Sequence, residues 1–524
     1  MGSGSGRGGA VWGDVVLSSV AAVSWCLVGM AGAAAAGLHL LGADRAGALG
    51  PMTAAVVVLA AGGSVTPTGD VSAFGPDDAE VHSAIDLTPV GVGLVGALLL
   101  AYLFLRSLRG TRAYISLSEL CVRTAGVVVL FVTAAGGLAW AGHDVITIDG
   151  ARLGLDRELP DAGGIGSIGV PGVGGLPPGR WEELAHADTA VGFGVDTPRS
   201  LVGALLWVLG VLAIAYLASS RTPLPRGAGW DAVHSRVRPA VSALVSAALV
   251  AVLAGYAAAA YAAVGTGHPG GPPAGSRESI AGAALLGAPN GAWLGVVLGL
   301  FVPWDGAATG ALAQLLPDPL NEALTASDGR PVTVGSLAAL DGRVWLLTAG
   351  AAALMLYAGV LTAARTPAER GRRTGAAAFT VRCALRLGAA TAVALPLLVR
   401  LTDVFVDASV SVLGIDAFDA SIELHGDPRM ACALGGAWGA GAGAAGALLV
   451  HGIRGAPRPV PAVTEGPGPY CPAAPYRPPN AATNPYLRLP PGIHEAPTPP
   501  PAPDPPPDGP RDFWPGPDTR GRDG

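Results

Sequence analysis

The sequence has 524 residues, of which 51% are hydrophobic and only 13% are charged. Soluble domains carry about 25% charged residues, so the composition favours an integral membrane protein over a soluble enzyme. The 32 basic residues are all arginine, and the lack of lysine excludes a Walker A lysine, a Schiff-base lysine and a catalytic Ser-Lys pair.

The five cysteines form no CxxC pair. Four lie in or beside apolar segments and one lies near the C-terminus: Cys26, Cys121, Cys383, Cys432 and Cys471. This spacing does not favour a disulfide framework or a zinc site, and we interpret the cysteines in apolar segments as buried structural thiols. We expect no metal and no cofactor.

The chain begins with a segment, residues 1–14, that we expect to be a flexible head. The apolar run that follows, 15–41, contains the small residues of a possible signal-peptide cleavage site at 31–37. Its length and its weakly basic start favour a retained anchor instead.

Apolar runs of bilayer-spanning length recur along the chain. Eight of them are predicted to be transmembrane helices: 15–41, 87–105, 124–141, 200–218, 239–264, 344–364, 383–401 and 431–451. The predicted fold class is an all-α polytopic membrane protein, with a membrane domain over 15–454.

The polar connections alternate in charge. Three are rich in arginine (106–123, 219–238 and 365–382), whereas the segments between them, including an outer insert at 142–199, are acidic. Arginine near the end of a span resists translocation. We therefore expect the basic connections and both termini to be cytoplasmic, in a multi-pass protein of the plasma membrane.

Two further apolar segments, 51–65 and 279–302, do not fit as full crossings. The first is short, and the second is interrupted by Pro289, Asn290 and Gly291. We expect both to be re-entrant or broken segments on the outer side, where protein or water surrounds the irregular backbone. The alternative for 279–302 is a kinked crossing, and if both segments cross there are ten spans.

The order of segments is the same in two stretches, 15–218 and 239–454. Each has a span, a short or broken apolar segment, an acidic connection, a span, a basic connection, a span, an acidic connection and a span. Because each stretch would begin and end on the inner side, the pattern predicts a two-fold parallel internal repeat.

Three glycines in the last span, Gly435, Gly439 and Gly443, follow at four-residue spacing. This spacing lets helix backbones approach closely. We expect packing within the bundle, with a homo-oligomer interface as the alternative.

The segment 455–524 holds half of the 46 prolines. It is predicted to be a disordered cytoplasmic tail with polyproline II character. Its PxxP sequences could bind a cytoplasmic protein, and a plain spacer is the alternative.

Two sequence patterns only weakly indicate a binding site. A GxGxxG sequence at 164–169 lacks the strand and the helix that a dinucleotide site needs. The nine histidines are scattered and lie near acids only in outer connections, so weak divalent-cation binding is less favoured there than solvated surface charge.

Ionisable residues within spans are the best functional indicators in a membrane protein. The candidates are Arg386 one turn into its span, Arg400 and Asp403 at the outer end of the same span, and Pro396 between them. Together with Pro289, Asn290 and Gly291 they are structural or pathway candidates. We predict no catalytic residue, and an arginine near a helix end usually extends to the interface.

Several segments resemble the streptophobe family of actinomycete integral membrane proteins. They are GGSVTPTGD at 62–70, LTPVGVGLVGALLLAYLFLR at 87–106, PNGAWLGVVLGL at 289–300, PWDG at 303–306 and ATNPYLRLP at 482–490. The resemblance implies a polytopic plasma-membrane protein of a high-GC filamentous bacterium, without an assigned activity and without catalytic residues to carry over.

The leading functional hypothesis is a non-enzymatic polytopic membrane protein of unknown activity, for which one suggested role is to organise partners through its cytoplasmic tail. Its expected partners are the lipid bilayer, a cytoplasmic protein and further copies of the chain, and no nucleic acid. The alternative is a transporter or channel with a path between the halves, lined by 51–65 and 279–302. A membrane enzyme acting on lipid or cell-wall precursors comes third.

Overall fold

The computed structural model describes residues 5–45, 47–68, 79–109, 116–149, 188–219, 233–265, 276–308, 331–366, 375–412 and 415–454. These residues belong to one compact unit, Met1–Ala456. The predictions for the tail 455–524, for the GxGxxG sequence at 164–169 and for most of the insert 142–199 lie outside the described residues.

The described part of the chain is mostly helical. Its helices are α1 (Ser5–Leu40), α2 (Leu49–Ala60), α3 (Val90–Arg109), α4 (Leu117–Ala141), α5 (Thr197–Ala218), α6 (Arg238–Gly265), α7 (Ser276–Gly299), α8 (Val334–Leu340), α9 (Trp345–Arg365), α10 (Ala376–Thr402) and α11 (Pro428–Arg454). Short helical turns cover Ala43–Arg45, Val233–Val237 and Gly342–Val344.

Within the described ranges, nine helices are long and apolar enough to cross a membrane: α1, α3 to α7, and α9 to α11. This is the architecture of a polytopic membrane protein. Each of the eight predicted spans coincides with one of these helices, and the ninth, α7, covers the apolar segment 279–302. Helix α1 already begins at Ser5, inside the segment 1–14 predicted to be a flexible head.

Helix α7 is continuous through the predicted interruption, because Pro289 lies inside a regular helix. The broken form of that prediction is therefore wrong. A proline inside a helix removes the one hydrogen bond that its nitrogen would donate to the carbonyl four residues back. That carbonyl, Leu285 O, faces α3 at Gly91, where an added Cβ would collide with it.

Segments that the sequence-based prediction assigns as outer connections contain strands. They are β1 (Val65–Thr68), β2 (Ala79–Leu87), β3 (Asp144–Asp149), β4 (Asp188–Val195), β5 (Trp304–Ala308), β6 (Val404–Val412) and β7 (Ile415–Gly426). They form one seven-stranded sheet in the order β3-β4-β1-β2-β6-β7-β5, with antiparallel neighbours throughout. The all-α prediction thus covers the membrane helices but misses this sheet.

The sheet lies at one end of the helical bundle. Strands follow α2, α4, α7 and α10, and strands precede α3, α5 and α11. We call this side of the bundle the sheet end. The opposite side, the arginine end, carries the basic side chains near the other helix termini: Arg106, Arg123, Arg238, Arg365, Arg382 and Arg386.

Each half of the helical bundle has its own apolar core. One core is formed by α1 to α5 and includes Leu100, Phe131 and Val208, which are fully buried. The other is formed chiefly by α6, α7 and α9 to α11 and includes Leu387 and Val399. Burial of these side chains excludes both water and lipid, and fixes how the helices of each half pack.

The glycine stripe of α11 faces α10. A Cβ at Gly435, Gly439 or Gly443 would lie 2.6 to 2.8 Å from a backbone carbonyl oxygen of α10. No side chain fits at such a separation, so the glycines allow the two backbones to touch. The prediction of packing within the bundle is confirmed.

Candidate functional site

Two apolar helices, α2 and α7, end in the same type of turn. After α2, Gly62 N donates to Leu59 O and Gly63 N to Val58 O, both at 2.9 Å. After α7, Phe301 N donates to Leu298 O at 2.9 Å and Val302 N to Val297 O at 3.3 Å. Both patterns pair the last helical carbonyls through a residue with positive φ, as in a Schellman motif.

The positive φ is 82° at Gly62 and 68° at Phe301. Glycine adopts this conformation freely, whereas phenylalanine is strained in it. The Phe301 ring is stacked against Trp438 of α11, with 6.4 Å between ring centroids. We attribute the tolerance of the strained backbone to this packing.

Each turn leads into a strand that is fixed in the same way. Val65 pairs with Val195, and Trp304 pairs with Gly426. The next residues along β4 and β7 are Asp196 and Asp427. Their backbone nitrogens donate to Ser64 O (3.1 Å) and Pro303 O (3.3 Å), respectively.

The same two aspartates start helices. Asp196 Oδ1 accepts from Arg199 N at 3.2 Å before α5, and Asp427 Oδ1 accepts from Arg429 N at 2.8 Å before α11. An aspartate at this position satisfies amide groups of the first helical turn. The same arrangement is therefore present twice: the end of one helix, the strand that follows it, and a second helix capped by an aspartate.

Helix α7 packs against α1, α6 and α9. A Cβ at Gly282 would lie 2.8 Å from Gly37 O, in the last turn of α1 at the sheet end. Farther along, Trp293 Nε1 donates to Ala248 O of α6 at 3.3 Å. A Cβ at Gly299 would lie 2.7 Å from Leu347 O, in the first turn of α9, again toward the sheet end.

Asn290 lies where α7 crosses α3. Its Oδ1 accepts from Val90 N at 3.0 Å, and its Nδ2 donates to Thr88 O at 2.7 Å. Val90 is the first residue of α3, so its amide has no partner inside its own helix. Of the predicted candidates, Asn290 therefore lies at a contact between the two halves; Pro289 beside it is buried, and Gly291 is exposed.

The other predicted candidates lie elsewhere, on α10. Arg386 is half-buried at the arginine end, where Nη1 is 3.5 Å from Thr366 Oγ1 at the end of α9. Pro396 lies inside α10, which stays helical through it. The structure therefore does not bring Arg386 and Pro396 together with Asn290.

Arg400 and Asp403 form an ion pair at the sheet end, with 3.7 Å between Nη1 and Oδ2. Arg400 is 73% exposed and Asp403 is 18% exposed, so water screens the pair and it contributes little stability. Asp403 Oδ1 also accepts from Gly426 N at 3.2 Å. This bond ties the end of α10 to the end of β7.

Two buried arginines were missed by the sequence-based prediction. Arg123 of α4 is 3% exposed, and its Nη2 lies 3.2 Å from Glu119 Oε1 and 3.4 Å from Asp14 Oδ2 of α1. The Glu119 and Arg123 spacing is a sequence signal for an ion pair on one helix face. The contact with Asp14, 109 residues away, has no such signal.

The second buried arginine is Arg238, at the start of α6. Its Nη2 donates to Tyr216 O at 3.4 Å, and its guanidinium carbon lies 5.6 Å from the centre of the Tyr216 ring. Tyr216 belongs to the last turn of α5, so this contact joins the two halves at the arginine end.

A cavity of about 410 Å³ lies between α9 and α11. It is lined by small and apolar residues: Ala352, Met355, Leu356, Leu434, Ala437, Trp438, Gly441, Ala442 and Ala445. No titratable side chain lines it, so the cavity offers packing space rather than acid, base or metal chemistry.

Among the described residues, no three His, Cys, Asp or Glu side chains lie close enough to hold a metal ion. The cysteines in this part of the chain, Cys26, Cys121, Cys383 and Cys432, are free thiols, of which Cys26 and Cys383 are buried.

Comparison of the chain with protein-family models, with curated proteins and with solved structures gives no match. The resemblance to the streptophobe family therefore stays a prediction, and function has to be inferred from the geometry.

Proposed function

We propose that the chain is a non-enzymatic membrane scaffold of eight crossings, built as a parallel repeat of two halves. Helices α2 and α7 are outer re-entrant helices, the sheet end is exported, and the arginine end and both termini are cytoplasmic. The observation that carries the proposal is the outer sheet, because it takes strands from both halves and joins them through β2 and β6.

Charge supports the proposed sidedness. The described residues that flank the basic connections 106–123, 219–238 and 365–382 lie opposite the sheet, where arginine outnumbers acidic residues, whereas acidic residues outnumber arginine at the described sheet end. Arginine near a span end is retained in the cytoplasm. A sheet with two open edges also requires an aqueous compartment, since unpaired backbone groups are not tolerated in lipid.

Contacts of α7 support the re-entrant assignment. Its early residue Gly282 packs against the sheet end of α1, and its last residue Gly299 packs near the sheet end of α9. A helix that crossed the bilayer would have its two ends on opposite sides. Helix α2, with only 12 residues, would cover about 18 Å, too little for a crossing.

The buried positions of matching helices support the repeat. In α4 the buried residues are Arg123, Val127, Phe131, Ala135 and Ala139; in α10 they include Cys383, Leu387, Thr391, Leu395 and Val399. Both series have four-residue spacing and end five residues before the next strand. Trp207 and Trp438 likewise each lie 11 residues after the capping aspartate.

The scaffold role rests on what the candidate residues do. Asn290, Arg386 and Asp403 each bond to a neighbouring element of the bundle or sheet. These contacts hold helices and strands together, as a scaffold requires. In this proposal the exported sheet and the tail 455–524 bind the partners.

Labelling of single cysteines from outside intact cells tests the topology. We expect an impermeant maleimide to label Glu278→Cys, at the start of α7, and Asp305→Cys, just after it. Ser118→Cys and Gly375→Cys at the arginine end should react only after lysis. All four positions are exposed. Labelling of only one of the Glu278→Cys and Asp305→Cys variants in intact cells would show that α7 crosses, and labelling of the Ser118→Cys variant in intact cells would overturn the sidedness.

A transporter or channel is the second candidate, favoured by one observation. Helices α2 and α7 both end among buried residues, such as Ala60 and Leu300, and helix ends within a bundle are found at transporter binding sites. Ion flux through the purified chain in liposomes would favour this candidate. Binding of a cytoplasmic protein that is lost on deletion of 455–524 would favour the scaffold.

A further inference from the structure

Close backbone contacts bring α7 of the second half onto α1 and α3 of the first half. A Cβ at Gly37 would lie 2.6 Å from Leu286 Cδ2, and one at Gly282 would lie 2.8 Å from Gly37 O. At Gly91 a Cβ would collide with Leu285 O. Three glycines thus allow a separation between helices that no larger residue permits.

The polar contact in this crossing is the Asn290 side chain. One amide satisfies both the Val90 N–H and the Thr88 carbonyl, at 3.0 and 2.7 Å. Asparagine can do this, because its side chain presents an acceptor and a donor together. In an apolar environment each of these backbone groups would be costly to leave unpaired.

At the arginine end, the two halves are joined by a different contact. There Arg238 of α6 donates to Tyr216 O of α5 at 3.4 Å. An apolar cluster lies near the Asn290 contact and consists of Val90, Ala251, Val252 and Trp293. The halves are therefore joined by the β2–β6 ladder and the Asn290 amide at the sheet end, and by the Arg238 cation at the arginine end.

We infer that Asn290 is a latch that holds α7 against the start of α3. Releasing its two hydrogen bonds lets α7 separate from α3 and exposes the apolar cluster, while the β2–β6 ladder and the Arg238 contact keep the halves joined. The latch goes beyond the proposed scaffold role, because it concerns the motion of α7 and not the partners that the protein binds.

The test uses Val252→Cys as a reporter, in a chain whose native cysteines are replaced by alanine or serine. Val252 is 3% exposed, so the new thiol reacts slowly while the latch is closed. Labelling is measured in lipid nanodiscs, where both faces are open to the reagent, so the result does not depend on sidedness. Asn290→Leu is expected to raise the labelling rate about tenfold, because two hydrogen bonds are lost.

Asn290→Asp keeps the acceptor for Val90 N–H, but its carboxylate has no donor for Thr88 O and repels that carbonyl, so an increase in the labelling rate is also expected. The matched control is Gly291→Ala on the next residue, where an added Cβ meets nothing within 4 Å; its labelling rate should be unchanged. If Asn290→Leu is not monodisperse, the Asn290→Asp variant decides by the same comparison.

Equal labelling rates in the Asn290 variants and in the control would overturn the latch. So would an equal increase at a second reporter, Leu212→Cys, which lies in the core of the first half. That result would indicate general loosening of the bundle and not separation of α7 from α3. Either outcome leaves the topology and the scaffold role untouched.

Discussion

Matching positions of the two halves carry different residue types. Arg123 occupies the buried position near the arginine end of α4 that Cys383 occupies in α10. A thiol needs no partner when buried, whereas a guanidinium does. Arg123 has Glu119 and Asp14 within 3.4 Å, yet its Nη1 has no hydrogen-bond partner. Its hydrogen-bonding capacity is therefore only partly satisfied.

The partly unsatisfied guanidinium predicts that removing its partner Glu119 costs more stability than removing Arg123 itself. Glu119→Gln should lower the free energy of unfolding by about 1–2 kcal/mol, because it leaves a buried charge without its main partner. Arg123→Met should cost less, since an apolar side chain of similar length replaces the buried ion. Unfolding midpoints in detergent measure both variants.

The control for this pair is Asp14→Asn. Asp14 is 71% exposed, so its loss should cost well under about 1 kcal/mol. If Arg123→Met proved more destabilising than Glu119→Gln, the guanidinium would be a net stabilising group and the interpretation would be wrong.

Helices α5 and α11 hold corresponding places in the two halves and pack through the same face, but their distances from the neighbouring helix differ. Ala204, Val208 and Leu212 of α5 are buried in the first core. Gly435, Gly439 and Gly443 hold the corresponding positions in α11, counted from the capping aspartates. The second half thus uses backbone contact where the first uses side chains, so a substitution in this stripe should act on a single helix pair.

Gly439→Ala tests this contact. A Cβ at Gly439 would lie 2.6 Å from Thr391 Oγ1 and 2.8 Å from Leu387 O, so α11 has to move away from α10. We expect a loss of about 1–3 kcal/mol in the free energy of unfolding, the usual cost of overpacking. Thermal unfolding of the purified protein measures it.

The matched control lies one half-turn away. Gly441→Ala adds a Cβ that meets nothing within 4 Å, and alanine favours the helix by up to about 1 kcal/mol. Its unfolding midpoint should be equal or higher. If the two variants lost equal stability, the loss would result from replacing any glycine of α11, and not from the contact of Gly439 with α10.

For the whole molecule, the helices were predictable and their contacts were not. The length and apolar character of each span appear in the local sequence, because a bilayer sets both. The sheet escaped prediction because its ladders join distant residues, such as Leu87 with Val404. Asn290 was identified as a candidate, but its role depends on Thr88, 202 residues earlier.

Because each half has its own apolar core, we predict that the halves can be expressed as two separate fragments that associate. A cut between residues 225 and 226, in the connection between α5 and α6, leaves the helices of each core on one fragment. We expect the fragments, expressed together, to be recovered as a complex by a tag on either one. The pairing of β2 with β6 and the contacts of α7 with α1 and α3 are retained in such a complex.

A cut inside a core provides the comparison. Separation between residues 112 and 113, in the connection between α3 and α4, divides the first core itself, so each fragment exposes buried apolar surface during assembly. The yield of this complex should be lower than that of the complex of halves. A higher yield would mean that the core of the first half does not assemble on its own. The repeat would then describe the order of elements but not how the protein is built.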